Sequence, residues 1–119
     1  MKKVLIIIFM FFLVGCSNTK GNDNIISYIE AKEKIINEGA ILVDVRTKEE
    51  YDTKHISGAV LLTLDTINEE TSIDIIDDKD TPVIVYCQSG NRSNQALTKL
   101  ESLGYTNVYD LGSINNWEE

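Results

Sequence analysis

PVIVYCQSGNRS, residues 82–93, decides how the fold is read. Pro82 to Tyr86 is a short run rich in β-branched side chains, the composition of a strand. Pro82 suits its first position, where a missing backbone donor costs least. From Ser93 to Ser102 the pattern changes period: Ala96, Leu97, Leu100 and Leu103 recur at helical spacing, and Gly104 predicts the stop. Only a few small polar residues, a thiol and a guanidinium lie between. A strand that passes into a helix through so short a turn is a building block of a parallel sheet.

Working outward, the same alternation repeats. Ile25-Ile26, Ile41 to Val45, Ala59 to Leu62 and Asn107 to Leu111 read as further strands. Ser27 followed by Glu30, and Thr47 followed by Glu50, are capping-box patterns that predict helix starts. In the first helix Ile29, Ile35 and Ile36 predict the apolar face, and Gly39 the end. The second helix is short, through about Asp52. Asp65 to Glu70 reads as a further short helix, and Asp77 to Asp80 as a solvated turn. The fold class is α/β with a mostly parallel sheet.

The N-terminal segment reads differently. Lys2 and Lys3 precede Val4 to Val14, an uninterrupted apolar run, as in an export signal. The run is short of the roughly 20 apolar residues of a spanning helix. It ends Leu13-Val14-Gly15-Cys16, which resembles the bacterial lipoprotein signal. That resemblance implies cleavage before Cys16 and lipid on its sulfur. The organisation expected is therefore a signal peptide at 1–15, a lipidated cysteine and polar tether at 16–24, and a domain at 25–119. The localisation expected is the cell envelope, on the outer face of a membrane held through Cys16. Without Lys2 and Lys3, acidic residues outnumber basic ones by 19 to 9. Such a surface disfavours nucleic acid, whose binding needs Lys and Arg to neutralise phosphates.

With Cys16 lipidated, Cys87 is the one thiol left, and an unpaired cysteine in an exported protein signals reactivity. It stands where the strongest strand ends. The next helix begins with N–H groups that lack intrahelical acceptors, and with the positive end of its dipole. Both favour an anion, and both lower a thiol's pKa. Gly90 allows a tight turn. Gln88, Ser89 and Asn91 are compact enough for a loop whose N–H groups curl inward. Arg92 adds a positive fork able to grip an oxyanion. The result is a small anion cradle with a thiolate at its base.

Cys87-Gln88-Ser89-Gly90-Asn91-Arg92-Ser93 resembles the active loop of the single-domain rhodaneses, the sulfurtransferase family. So do Asp44-Val45-Arg46, Glu50-Tyr51, His55-Ile56 and Gly58-Ala59 upstream, and Leu111-Gly112 and Trp117 downstream. These matches run from about Ile25 to Trp117 in the family's order. Lys54 stands where the family usually has glycine, and Ser57 where it often has proline; both touch turns. The resemblance implies a three-layer rhodanese-like domain, with about five strands and helices on both faces. It implies that Cys87 is the nucleophile and that Gln88, Ser89, Gly90, Asn91, Arg92 and Ser93 bind the substrate. It also implies a two-step transfer: a small anionic donor such as thiosulfate gives sulfur to Cys87, and a thiol or cyanide takes it away. No cofactor and no metal are expected, and His55 is the only histidine. A monomer is expected.

Asp44, Arg46, Glu50 and His55 are expected to hold the scaffold, with Arg46 and Glu50 forming an ion pair at a helix start and His55 fixing a turn. Trp117 is expected to pack. Cysteine phosphatases and arsenate reductases also place an anion loop between cysteine and arginine, but with five intervening residues; here Gln88 to Asn91 make a shorter one. A surface carrier of persulfide or electrons would use the same residues as the enzyme. A non-catalytic binding module is the remaining alternative.

Overall fold

The structure, a computed structural model, describes residues 24–118. The expected signal peptide, Cys16 and the tether up to residue 23 lie outside the described residues. Four strands form one parallel sheet: β1 (Ile41–Asp44), β2 (Val60–Leu61), β3 (Val83–Cys87) and β4 (Val108–Ser113), in the spatial order β2-β1-β3-β4. Ile25-Ile26 does not add a fifth strand. Ile25 makes a single bridge to Asp110, and Ser27 immediately caps a helix, so no ladder has room to grow.

That helix, α1 (Tyr28–Glu38), starts on the predicted capping box and ends at Gly39, whose left-handed φ of 71° needs no Cβ penalty. Its inward face differs from the one expected. Ala31 is fully buried and Ile35 packs beside it, whereas Ile29 and Ile36 are 69% and 72% exposed. Ile29 and Ile36 lie seven residues apart on one stripe, and Ala31 and Ile35 share the opposite one. The small alanine lets the helix approach the sheet.

Helix α2 (Lys48–Thr53) starts on the second predicted capping box, Thr47 with Glu50. The segment expected to be helical at 65–70 is instead a 3₁₀ turn (Leu64–Thr66), followed by α3 (Glu69–Ile75). The unrecognised signal is Asn68, whose side chain accepts from the Thr71 N–H and starts α3 there. Helix α4 (Asn91–Ser102) begins two residues before the predicted start, and a 3₁₀ turn (Ile114–Asn116) follows β4.

Alternate side chains of β3 feed two cores. Val83, Val85 and Cys87 join Val43, Ala96 and Leu100 on one face; Ile84 and Tyr86 join Leu42, Ala31 and Leu111 on the other. Every residue of β3 is buried, which is why its sequence is continuously apolar. The three layers are thus α1 on one side, the sheet, and α4 on the other. Because all strands run the same way, the carboxyl ends of β1, β3 and β4 meet at one edge, where sheets of this class bind ligands.

Candidate active site

Cys87 is the last residue of β3, and the loop behind it folds back over its sulfur. The Gly90 N–H donates to Sγ at 3.0 Å and the Ser93 N–H at 3.2 Å. Gly90 makes this return with φ +103°, a region that side-chain-bearing residues avoid. Two contacts from β4 steady the loop. The Ser113 hydroxyl donates to the Gln88 carbonyl at 2.7 Å. A register shift opposite Val85 and Tyr86 brings Gly112 against Gly90, where a Cβ on Gly90 would meet its Cα at 3.9 Å.

Burial pushes the Cys87 thiol up, since no part of the residue is exposed. The Ser93 hydroxyl and the N–H groups of Ser93, Gly90 and Ser89 outweigh this and hold it below the ordinary thiol value. The Ser93 hydroxyl also donates to the Gly90 carbonyl at 3.1 Å. The loop's N–H groups thus converge on the Cys87 sulfur, which lies at the floor of the turn.

The arginines are held differently from the expected arrangement. Arg46 does not pair with Glu50. It closes on Asp44, with Nη2 to Oδ2 at 2.7 Å and Nε to Oδ1 at 3.0 Å. Asp44 accepts further from the Arg46 N–H at 2.9 Å and the Tyr86 hydroxyl at 2.8 Å. Arg46 also donates to the Lys54 carbonyl at 2.6 Å and to Gln88 Oε1 at 3.3 Å. Tyr86 in turn accepts from the Ile56 N–H at 3.1 Å, so one buried network ties β1, β3 and the turn after α2. Sequence reasoning missed Tyr86: within a strand nothing marks a tyrosine whose hydroxyl is spoken for.

Glu50 belongs to Arg92. The guanidinium grips the carboxylate through Nη1 at 2.8 Å and Nη2 at 3.1 Å. Arg92, with the Thr47 backbone N–H, holds the Glu50 carboxyl down at about 2. Arg92 stands in the first turn of α4 with its charge already partnered. The His55 ring stacks on Tyr51 at 3.7 Å, and Nδ1 lies 2.8 Å from the Tyr51 carbonyl. Trp117 packs edge-on against Tyr28 at 4.9 Å between ring centres. Beside the loop opens a cleft of about 510 Å³, lined by Arg46, Glu50, Lys54, His55, Gln88 and Trp117 among others, but not by Cys87.

The chain has relatives among known proteins. Residues 27–119 match the family model described as a rhodanese-like domain. The chain belongs to the rhodanese-like family. It is 36% identical over 74 residues to the thiosulfate sulfurtransferase PspE of Escherichia coli, covering 62% of this chain and 70% of that one. To the thiosulfate sulfurtransferase GlpE of Coxiella burnetii it is 32% identical over 94 residues, covering 78% and 85%. Among solved structures, a rhodanese with anions from E. coli superposes with a TM-score of 0.60 at 34% identity, covering 65% of this chain and 89% of that one. The rhodanese-like fold thus accounts for the parallel sheet, with four strands here in place of the five expected.

Proposed function

We propose that this rhodanese-like chain is a sulfurtransferase that carries sulfane sulfur on Cys87. The observation that supports it most is the convergence of the Gly90 and Ser93 N–H groups on one buried sulfur with a lowered pKa. In the first step the Cys87 thiolate attacks the outer sulfur of thiosulfate or a similar donor. A new S–S bond forms, the donor's S–S bond breaks, and sulfite leaves with the electron pair. In the second, an acceptor thiolate attacks the outer sulfur of the Cys87 persulfide, taking that sulfur and returning Cys87 as thiolate. Cyanide as acceptor leaves as thiocyanate. Splitting the transfer through a covalent relay divides one barrier into two lower ones.

The persulfide is an anion like the thiolate, and the same N–H groups stabilise it. First-turn N–H groups of α4 without intrahelical acceptors, those of Asn91 and Arg92, face the same end of the helix as the leaving sulfite. Gln88, Ser89, Gly90, Asn91, Arg92 and Ser93 form the rim that the donor meets. Asp44, Arg46, Glu50 and His55 hold that rim in place. We propose as well that the chain is cut before Cys16 and anchored to the outer face of a membrane by lipid on that cysteine, on the sequence Leu13-Val14-Gly15-Cys16. Palmitate labelling lost in Cys16→Ser tests it.

Intact mass of the domain after incubation with thiosulfate tests the transfer. A gain of one sulfur atom, about 32 Da, that disappears in Cys87→Ser is expected for a covalent relay. No gain with thiosulfate, but saturable transfer from a partner protein, would mark the chain as a carrier.

A further inference from the structure

The cation that the loop offers to an anionic donor is not free. Arg92 is gripped at both nitrogens by Glu50, 2.8 and 3.1 Å away. Glu50 is fixed in turn: its Oε1 also accepts the Thr47 N–H at 2.9 Å and the Thr47 hydroxyl at 3.1 Å. The carboxylate therefore comes from α2, a different element, and is held at a helix start rather than swinging on a free side chain. Arg46, the guanidinium that lines the cleft, is closed on Asp44. Among the described residues Lys54 is the one Lys or Arg of the cleft with no carboxylate at ion-pair distance, and Glu49 offsets it from the same wall. Arg92 immediately precedes Ser93, whose N–H lies 3.2 Å from the Cys87 sulfur, so the pair stands beside the sulfur's own cradle.

We propose that Glu50 is a specificity-determining residue: by neutralising Arg92 it sets the site against doubly charged inorganic donors and toward organic persulfides of low net charge. The inference rests on the sulfurtransferase reading of the same site. A thiosulfate dianion entering the loop has to compete with a fixed carboxylate for the guanidinium fork. An organic persulfide needs no second cation, and the cleft beside the loop, about 510 Å³ and bordered by Ile114 and Trp117, has room for its body. With such a donor, RSSH, the Cys87 thiolate takes the outer sulfur as a Cys87 persulfide and RS⁻ departs. Glu50 touches no reacting atom; it acts through Arg92 and is a positioning residue.

Glu50→Gln separates charge from structure, because glutamine keeps the capping box and the volume. Two readouts apply. Alkylation of Cys87 by iodoacetate, an anion, and by iodoacetamide, which is neutral, compares the field at the sulfur without any turnover. In E50Q the iodoacetate-to-iodoacetamide rate ratio rises about three- to tenfold, the range for one uncompensated charge in a wet site. Arg92→Gln leaves a bare carboxylate and lowers the ratio, and the double variant returns toward the wild-type value. In turnover, the KM for thiosulfate falls in E50Q by a similar factor, with the effect on KM rather than kcat. The KM for cysteamine persulfide, a zwitterion, stays within twofold.

An unchanged or lower alkylation ratio in E50Q overturns the proposal, as does a rise in R92Q. Should E50Q not fold, R92Q alone decides by the sign of its change. If the ratios move as stated while the wild type turns over neither donor, the charge assignment stands and the sulfurtransferase reading falls. If the wild type turns over thiosulfate and neither ratio nor KM responds to E50Q, the reading stands and this inference falls.

Discussion

Two arginine–carboxylate pairs stand beside the same loop, and their surroundings differ. Arg46 and Asp44 sit two residues apart at the end of β1, with side chains 4% and 0% exposed. Every strong lone pair and most donors are used: Asp44 takes Arg46 and Tyr86, and Arg46 holds the Lys54 carbonyl and Gln88. Arg92 and Glu50 join α4 to α2 across 42 positions of sequence, and each is one-third exposed. The first pair is part of the frame and cannot respond to a ligand without dismantling it. The second is solvated enough to trade partners. A buried ion pair tells little about net stability but a great deal about what its loss does; a half-open one is the reverse.

The sharpest way to break the comparison is Asp44→Ala. It leaves Arg46 charged, buried and without its acceptor, and the expected loss is about 3–5 kcal/mol of folding free energy, read by urea denaturation. A loss below about 1 kcal/mol would put the two pairs in the same class. Gly90→Ala comes next. Alanine has space there but must adopt φ +103°, at a cost of about 1–3 kcal/mol. Because the turn carries the Gly90 N–H, the pH at which Cys87 is half alkylated should rise as well.

The Glu50 pair gives a smaller effect with a defined pH window. Its carboxyl is held at about 2 by Arg92, below the ordinary carboxylate value. A depressed carboxyl stabilises the fold above its unfolded pKa, and that contribution is lost as pH falls from about 4.5 toward 2. Solvent screening keeps it to about 1 kcal/mol or less. Stability measured against pH should therefore slope less steeply in E50Q than in the wild type within that window, and identically above it. Last, Lys54→Gln should lower the iodoacetate preference at Cys87 by about twofold, since an exposed lysine at the cleft acts through water and salt.

Much of this was legible in the residues. The thiol at a strand end, the helix opening behind it and both capping boxes follow from local rules, because caps and periods are set within a few residues. The partners of Arg46 and Glu50 were not. A capping box fixes where the Glu50 backbone stands and engages one oxygen, but says nothing of the distant guanidinium that grips both. Proximity in sequence favoured Arg46, yet a residue at a strand end two positions after an aspartate can fold back on it. The inward face of α1 failed for a related reason: three isoleucines outweighed one alanine by hydropathy, whereas close approach to a sheet rewards the smaller side chain. The fifth strand was read from two isoleucines that have composition but no length.

The depth of Cys87 has a consequence of its own. With no surface exposed, the bare sulfur is reached only by a reagent small enough to pass the rim of the loop. On the proposed sulfur relay, a second sulfur would add a bond of about 2 Å. A loaded protein and an empty one would then differ in which sulfur an oxidant or an acceptor meets first, and an outward-pointing second sulfur would put the transferable atom on offer while the loop shields the thiol that bears it.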